Sequence, residues 1–139
     1  MNLNEYQDRA LATAITEDVE TDFCHFGFGL MAEAGEVANI FQKYFRGDKR
    51  YNRWTEWADN TIYAEWIDED TKITKEPDWG MLTPEALTML EKELGDVLWH
   101  VAALAHTFGL SLGGIADTNL KKLEDRTKNG TIKGDGDDR

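Results

Sequence analysis

The chain has 139 residues, of which 41% are apolar and 30% charged, a composition typical of one ordinary globular domain. Its 15 basic and 27 acidic residues give a formal net charge of −12, which argues against a surface that binds nucleic-acid polymers. The single cysteine, Cys24, excludes an intramolecular disulfide, and no stretch approaches the roughly 20 apolar residues of a membrane span. With no signal-peptide pattern at the N-terminus, we expect a cytoplasmic protein.

Apolar spacing predicts an all-α chain with one irregular segment. Helical periodicity predicts helices over 3–16 and 22–46, and Gly47 is a typical terminator for the second. The segment 48–82 has no long helical period and contains the β-prone run 61–67. This segment holds four of the five tryptophans: Trp54, Trp57, Trp66 and Trp79.

The second half of the chain predicts two further helices. Thr83 and Pro84 have the pattern of an N-cap followed by a proline at the first helical position, and this helix should end near Phe108, before Gly109. A last helix should begin at residue 111 or 112 and end near 127. We therefore expect one helical domain over residues 1–139, with an insert at 48–82 and a Gly/Asp-rich tail at 128–139.

Two acidic pairs, Glu33 with Glu36 and Glu93 with Asp96, carry most of the functional information. Residues three apart lie on one helix face, so two such helices side by side would present four carboxylates, and the glycine inside each pair would allow close approach. Such a cluster suits a hard cation such as Mg²⁺, with Mn²⁺ as a substitute, better than zinc. The alternative, that these are solvated surface charges, remains open.

Each acidic pair is predicted to lie on the flank of an apolar stripe that faces a core. A carboxylate at the edge of a core is costly to desolvate unless it is paired or binds a metal. The stripe beside Glu33 and Glu36 contains Leu30, Ala34, Val37, Phe41 and Tyr44. The stripe beside Glu93 and Asp96 contains Leu87, Leu90, Leu94, Val97, Leu98, Val101, Ala105 and Phe108.

The last predicted helix places Asn119 on its apolar side, with Lys122 at the edge. A buried asparagine needs hydrogen-bonding partners, so Asn119 would be either a tie between helices or a ligand of substrate or metal. Lys122 would be either a surface lysine or a point charge for phosphate. The apolar neighbours on this side are Leu112, Ile115, Ala116 and Leu123.

The runs at 29–37 and 93–99, with Asn119 to Leu123 in the next helix, resemble the all-α NTP pyrophosphohydrolase superfamily in its MazG-like branch. The first residues and the Gly/Asp-rich tail are also similar to MazG-type ends. The resemblance implies a helical bundle that hydrolyses a nucleoside triphosphate to the monophosphate and pyrophosphate with Mg²⁺. It also implies assembly as a homodimer or homotetramer. The metal ligands that it implies are Glu33, Glu36, Glu93 and Asp96, and the substrate contacts are Asn119 and Lys122.

On this interpretation Glu33 or Glu36 would accept the proton of the attacking water. Lys122, with Lys43 or Arg126, would offset charge that develops on the phosphates. His100 stands where many members carry tyrosine, and it would either bind a phosphate or be a partly buried structural residue.

A second departure from the family pattern is the long connection, with 56 residues between Glu36 and Glu93 where compact members have a short loop. The insert is therefore expected to shape the base pocket, cover the site or extend the oligomer interface. A different class of function also stays open, a catalytically silent helical module that binds a protein or nucleotide through the acidic face or the insert. A di-iron carboxylate bundle is disfavoured, because the sequence lacks the Glu-x-x-His motif of that class.

Overall fold

The structure is a computed structural model that describes residues 1–52 and 82–131. Within these residues it contains four helices and no strands, so the expected all-α class is confirmed. Most of the Trp-rich insert, residues 53–81 with the β-prone run, and most of the tail, residues 132–139, lie outside the described residues. The helices are α1 (Leu3–Leu11), α2 (Val19–Phe45), α3 (Pro84–Thr107) and α4 (Leu112–Lys128).

The ends of the helices follow from local side-chain chemistry. At the start of α3, Thr83 Oγ1 accepts a hydrogen bond from the amide of Ala86 at 3.1 Å, which confirms the predicted cap. At the start of α2, Asp18 accepts from the amides of Glu20 and Thr21, and these bonds lower the pKa of its carboxyl, the bonds to Thr21 most. After α2, Gly47 adopts φ 75°, the left-handed conformation that glycine tolerates best.

The prediction that the first helix reaches residue 16 is wrong, because α1 ends at Leu11. The indole Nε1 of Trp99 donates to the carbonyl of Ala10 at 3.2 Å and to Thr13 Oγ1 at 2.9 Å. Thr13 Oγ1 in turn donates to the same carbonyl at 2.7 Å. These bonds give the carbonyl of Ala10 the partners that a continued helix would otherwise give it. A tertiary contact therefore overrides the helical propensity of the alanines that follow.

The chain divides into two compact units. The first unit comprises Met1–Gly29 and Leu98–Arg139, and the second comprises Leu30–Val97, so α2 and α3 each contribute to both. The expectation of one domain over 1–139 stays a prediction. The core of the first unit is formed by Ala102, Ala105 and Leu112, with Tyr6, Ala10 and Val101 packed against it. The core of the second is formed by Ile40, Tyr44, Tyr51, Leu82 and Ala86.

The side chain of Gln7 links α1 by hydrogen bonds to α3 and to the turn between α3 and α4. Its side chain is 6% exposed, and its Nε2 donates to the carbonyls of Ala102 at 3.2 Å and Leu110 at 3.0 Å. Its Oε1 accepts from the amide of Leu112 at 2.9 Å. One buried side-chain amide therefore bonds to three backbone groups. Two of them, the carbonyl of Leu110 between the helices and the amide of Leu112 at the start of α4, have no partner within a helix.

We expect Gln7→Leu to lower the free energy of unfolding by about 3 kcal/mol, because it removes three hydrogen bonds and leaves the carbonyl of Leu110 and the buried amide of Leu112 without the partner that Gln7 provides. Urea denaturation followed by circular dichroism measures this change. The matched control is Gln42→Leu, the same substitution at an exposed position of α2, which should change stability by less than about 0.5 kcal/mol. Equal effects for the two variants would contradict the role assigned to Gln7.

The two ends of the insert meet in the second unit. Asn52 and Leu82 form an antiparallel bridge, and the amide of Thr83 donates to the carbonyl of Tyr51 at 3.3 Å. Arg50 forms an ion pair with Glu85 at 2.7 Å, which raises the pKa of the guanidinium. The long connection therefore leaves and re-enters the helical body at one place.

The predicted apolar stripe of α3 is only partly buried, which corrects the sequence analysis. Leu87, Leu94 and Phe108 are 46%, 50% and 54% exposed. The buried residues of α3 are small: Ala105, which belongs to the predicted stripe, and Ala86, Ala102 and Ala103, which do not. Alanine permits close packing of the helix backbone, so the alanine positions are buried. The larger residues Met89, Leu90 and Val101 also pack against the two cores but are only partly buried.

The described helices include no single one that is long and apolar enough to cross a membrane. The bent pair α3 and α4 meets the length and composition requirement only when both helices are taken together.

Candidate metal and substrate site

Three of the four predicted carboxylates come together in the second unit. Glu33 on α2 and Glu93 and Asp96 on α3 each offer an oxygen, and these oxygens lie within 4.8 Å of one another. Glu33 and Glu93 are half-buried, whereas Asp96 is exposed. Both helices therefore contribute to one acidic cluster, which we call the carboxylate cluster.

The donors of the carboxylate cluster fit a hard divalent cation. Oxygens on opposite sides of a Mg²⁺ ion are separated by about 4.2 Å, and those around the larger Ca²⁺ by about 4.8 Å. Since the three oxygens lie within 4.8 Å of one another, they are close enough to share one divalent cation. Carboxylate oxygens without histidine or cysteine favour Mg²⁺ or Mn²⁺ over zinc.

Glu36 lies outside the group of three. It is exposed, and its Oε2 accepts a long hydrogen bond of 3.4 Å from Asn39 Nδ2, one turn further along α2. Such a bond is weak, and Glu36 is three residues from Glu33 on the same helix face. A ligand role for Glu36 therefore stays a prediction that requires its side chain to leave Asn39.

The glycines inside the acidic pairs are not explained by close packing. A β-carbon at Gly35 or Gly95 would meet no described atom within 4 Å. The expectation that these glycines allow the helices to approach is therefore wrong for the described part of the chain. Gly35 lies beside an open groove of about 210 Å³ on α2, whose lining residues are Gly35, Ala38, Asn39 and Gln42.

Lys43, at the end of α2, contacts the side chain of Tyr51. Its Nζ donates to the hydroxyl of Tyr51 at 3.1 Å and lies 4.9 Å from the centre of that ring. The phenol is buried, so the contact holds the ammonium by a hydrogen bond and a cation–π interaction together. A phosphate contact by Lys43 stays a prediction, and it would require the ammonium to exchange or share this partner.

His100 lies in the first unit, half-buried against α2. A β-carbon at Gly29 would lie 2.1 Å from His100 Cε1, so the imidazole occupies the space that any other residue would need there. The Nδ1 of His100 is buried and has no hydrogen-bonding partner among the described residues. Of the two roles left open by the sequence, the packing role is the one that has a contact in the structure.

The remaining predicted substrate contacts lie on α4 in the first unit. Asn119 and Lys122 are exposed, which corrects the expectation of a buried asparagine among apolar neighbours. Two of its apolar neighbours, Ile115 and Leu123, are exposed as well, whereas Leu112 at the start of the helix is buried. Arg126 is buried. Contacts of all three with substrate stay predictions.

Three residues near the predicted site were missed by sequence reasoning: Asn39, Tyr51 and Gly29. Asn39 could have been found from its spacing of three from Glu36, which places both on one helix face. Gly29 precedes Glu33 by four residues and His100 follows Asp96 by four, but this spacing does not show that Gly29 and His100 meet. No local pattern identifies Tyr51, because its contact with Lys43 depends on the turn after α2.

Comparison with known proteins identifies a family. The model of the MazG nucleotide pyrophosphohydrolase domain matches residues 27–131, which include all four predicted metal ligands. The chain belongs to the MazG family. One relative of this MazG-family chain is the Gene 37 protein of Mycobacterium phage L5, 32% identical over 144 residues that cover all of both chains. No solved structure matches the chain significantly.

Membership in the MazG family indicates nucleotide pyrophosphohydrolase activity in general terms, and the family generally depends on divalent metals. The carboxylate cluster lies within the matched segment and provides the oxygen donors that such a metal needs. The resemblance seen in the sequence is therefore confirmed at the level of the family.

Proposed function

We propose that this protein hydrolyses a nucleoside or deoxynucleoside triphosphate to the monophosphate and pyrophosphate, with Mg²⁺ as its metal and Mn²⁺ as a substitute. The observation that supports this reaction most is the convergence of Glu33, Glu93 and Asp96 inside the segment that matches the family. Triphosphates are polyanions, and a chain with net charge −12 needs a cation at the site to accept one.

The three clustered carboxylates would hold the metal, and Glu36 would complete the ligand set after turning away from Asn39. When bound, the cation would polarise the phosphate oxygens and lower the pKa of an attacking water. The flexibility of an exposed carboxylate matters here, because Glu36 is able to change partner while the half-buried Glu33 is more restricted.

Proton transfer is assigned to the same pair of glutamates on α2. A carboxylate that accepts the proton of water must lie within hydrogen-bond reach of it, and we assign this role to Glu33 or Glu36, which lie one turn apart on one face of α2. Asn119 and Lys122 would bind the substrate. Lys43, His100 and Arg126 are further candidate contacts with it, and the cations among these residues would offset phosphate charge.

We also propose a homodimer or homotetramer in the cytoplasm that interacts with neither membranes nor nucleic-acid polymers. The exposed apolar side chains of α2 and α3 support self-association, since an isolated chain rarely leaves so many large residues open. Met31, Phe45, Leu87 and Leu94 are examples in the second unit. The strongly negative charge argues against binding to polyanionic surfaces.

The experiment that tests the reaction measures products from a panel of canonical and modified NTPs and dNTPs, with Mg²⁺, with Mn²⁺ and with EDTA. We expect metal-dependent release of pyrophosphate and the monophosphate in equal amounts, and the panel ranks the bases. Release of orthophosphate instead would contradict the pyrophosphohydrolase assignment. No product from any nucleotide, with circular dichroism showing a folded protein, would favour the catalytically silent binding module.

A further inference from the structure

The imidazole of His100 fills the space where a side chain at Gly29 would begin. A β-carbon at position 29 would lie 2.1 Å from Cε1, 2.6 Å from Nδ1 and 2.7 Å from Nε2 of the imidazole. Real β-carbons essentially never approach another atom below 3.0 Å. Position 29 therefore accepts only glycine while the imidazole keeps its place.

The imidazole is held in place by neighbours and is not at the free end of a mobile chain. Its ring packs edge-on against Trp99, with ring centres 4.9 Å apart and planes at 89°. Trp99 is itself fixed by the ring of Phe26, at 5.7 Å, and by its hydrogen bonds to the end of α1. Moving the imidazole to admit a β-carbon would therefore disturb a connected set of contacts.

His100 makes this contact through packing of its ring. No described residue provides a hydrogen bond to its buried Nδ1. A polar atom that is buried without a partner costs free energy, so the side chain is an unfavourable choice if its only task is to fill space. The contact it makes joins α2 to α3, the two helices that carry the carboxylate cluster.

The positions of both residues along their helices connect this contact to the cluster. Gly29 precedes Glu33 by four residues on α2, and His100 follows Asp96 by four on α3. Each is one turn, about 6 Å along the axis, from a carboxylate on the same continuous helix. A metal site tolerates little displacement of its ligands.

We propose that Gly29 and His100 are a pair of positioning residues that set the separation of α2 and α3 and thereby tune the metal affinity of the carboxylate cluster. The proposal rests on the metal-dependent function proposed above. It assigns His100 a role through packing, in place of the direct phosphate contact that the sequence left open.

The test is a double-mutant cycle of wild type, Gly29→Ala, His100→Ala and the double variant, with Mn²⁺ as the probe. Free Mn²⁺ measured by electron paramagnetic resonance gives the dissociation constant without any nucleotide, and thermal unfolding in EDTA gives Tm. We expect Gly29→Ala to weaken Mn²⁺ binding by about tenfold or more, the size expected for residues that orient ligands. The double variant should recover to within about threefold of wild type, because removing the imidazole makes room for the new methyl group.

Gly27→Ala is the matched control, because it makes the same change two residues earlier on α2, where a β-carbon meets no described atom within 4 Å. It should leave Mn²⁺ affinity unchanged and keep or raise Tm, since alanine favours helix over glycine. If Gly29→Ala does not fold, a folded double variant with near-wild-type Mn²⁺ affinity supports the pair, and an unfolded or weakly binding one overturns it.

A folded Gly29→Ala variant that binds Mn²⁺ as tightly as wild type would show that the contact serves local packing alone. If His100→Ala raises KM for the nucleotide while Mn²⁺ affinity is unchanged, His100 binds phosphate and the proposal is overturned. Because Mn²⁺ binding needs no substrate, coupling between the two positions remains measurable even if no nucleotide is hydrolysed. Failure of the proposed reaction is thereby distinguished from failure of this pair.

Discussion

Replacing Glu93 by glutamine should lower kcat/KM for the best nucleotide by about 1,000-fold, the largest effect that we expect of any single substitution. Glutamine keeps the length and shape of the side chain but removes the negative charge that the cation requires. Glu93 is half-buried and lies within 4.8 Å of the ligand atoms of both Glu33 and Asp96, so no neighbouring carboxylate substitutes for it without rearrangement. Steady-state pyrophosphate release at saturating Mg²⁺ measures the loss.

The matched control is Glu91→Gln, which makes the identical change two residues earlier on α3 at an exposed position outside the carboxylate cluster. It should retain activity within about twofold, because a solvated surface charge contributes little at this distance. Glu36→Gln adds a second comparison, since it tests the carboxylate that lies outside the group of three. If Glu93→Gln and Glu91→Gln were equally active, the carboxylate cluster would not be the catalytic centre.

The helical class and most helix ends were predictable because they depend on local chemistry. The caps at Thr83 and Ser111 and the terminators Gly47 and Gly109 act within a few residues of where they stand. The two long helices are therefore within a few residues of their predicted bounds. The end of α1 was missed because it is decided by Trp99, which lies 86 residues from Thr13 in the sequence.

Periodicity predicted which apolar residues share a helix face but not which part of that face is buried. Leu94 lies on the predicted stripe and is half exposed, whereas Ala102 and Ala103 are buried. The apolar period of a helix is recognised mainly from its large side chains, although close helix contacts are made where side chains are small. The same limit applies to Asn119, which is exposed together with Ile115 and Leu123 of the same predicted side, although Leu112 is buried.

The candidate site was predictable at the level of its acidic residues and not in its supporting contacts. The spacing of three within each acidic pair identified Glu33, Glu93 and Asp96 directly. The partners that hold other candidates, Tyr51 for Lys43 and Gly29 for His100, come from distant positions and depend on how helices pack. Long-range pairing of this kind leaves no spacing rule in a single sequence.

Metal should stabilise this protein strongly, and removing it should have the second largest effect that we expect. A cation that binds the folded chain alone at 100 times its Kd stabilises it by about 2.7 kcal/mol. For a chain of 139 residues this corresponds to a rise in Tm of roughly 10 °C, which thermal unfolding in Mg²⁺ or Mn²⁺ against EDTA measures. The physical reason is that the unfolded chain does not hold the three carboxylates together.

The effect of Glu93→Gln on Tm, relative to wild type, should have opposite signs without and with metal. Without metal, the three carboxylates repel one another, so the variant should be at least as stable as wild type in EDTA. With metal, the variant should gain little, because one of its three clustered ligands is lost. Glu91→Gln should keep the full metal-dependent rise, since its carboxylate lies outside the cluster. A metal-dependent rise of the same size in all three proteins would place the bound cation elsewhere on this acidic surface, and the carboxylate cluster would then owe its geometry to packing alone.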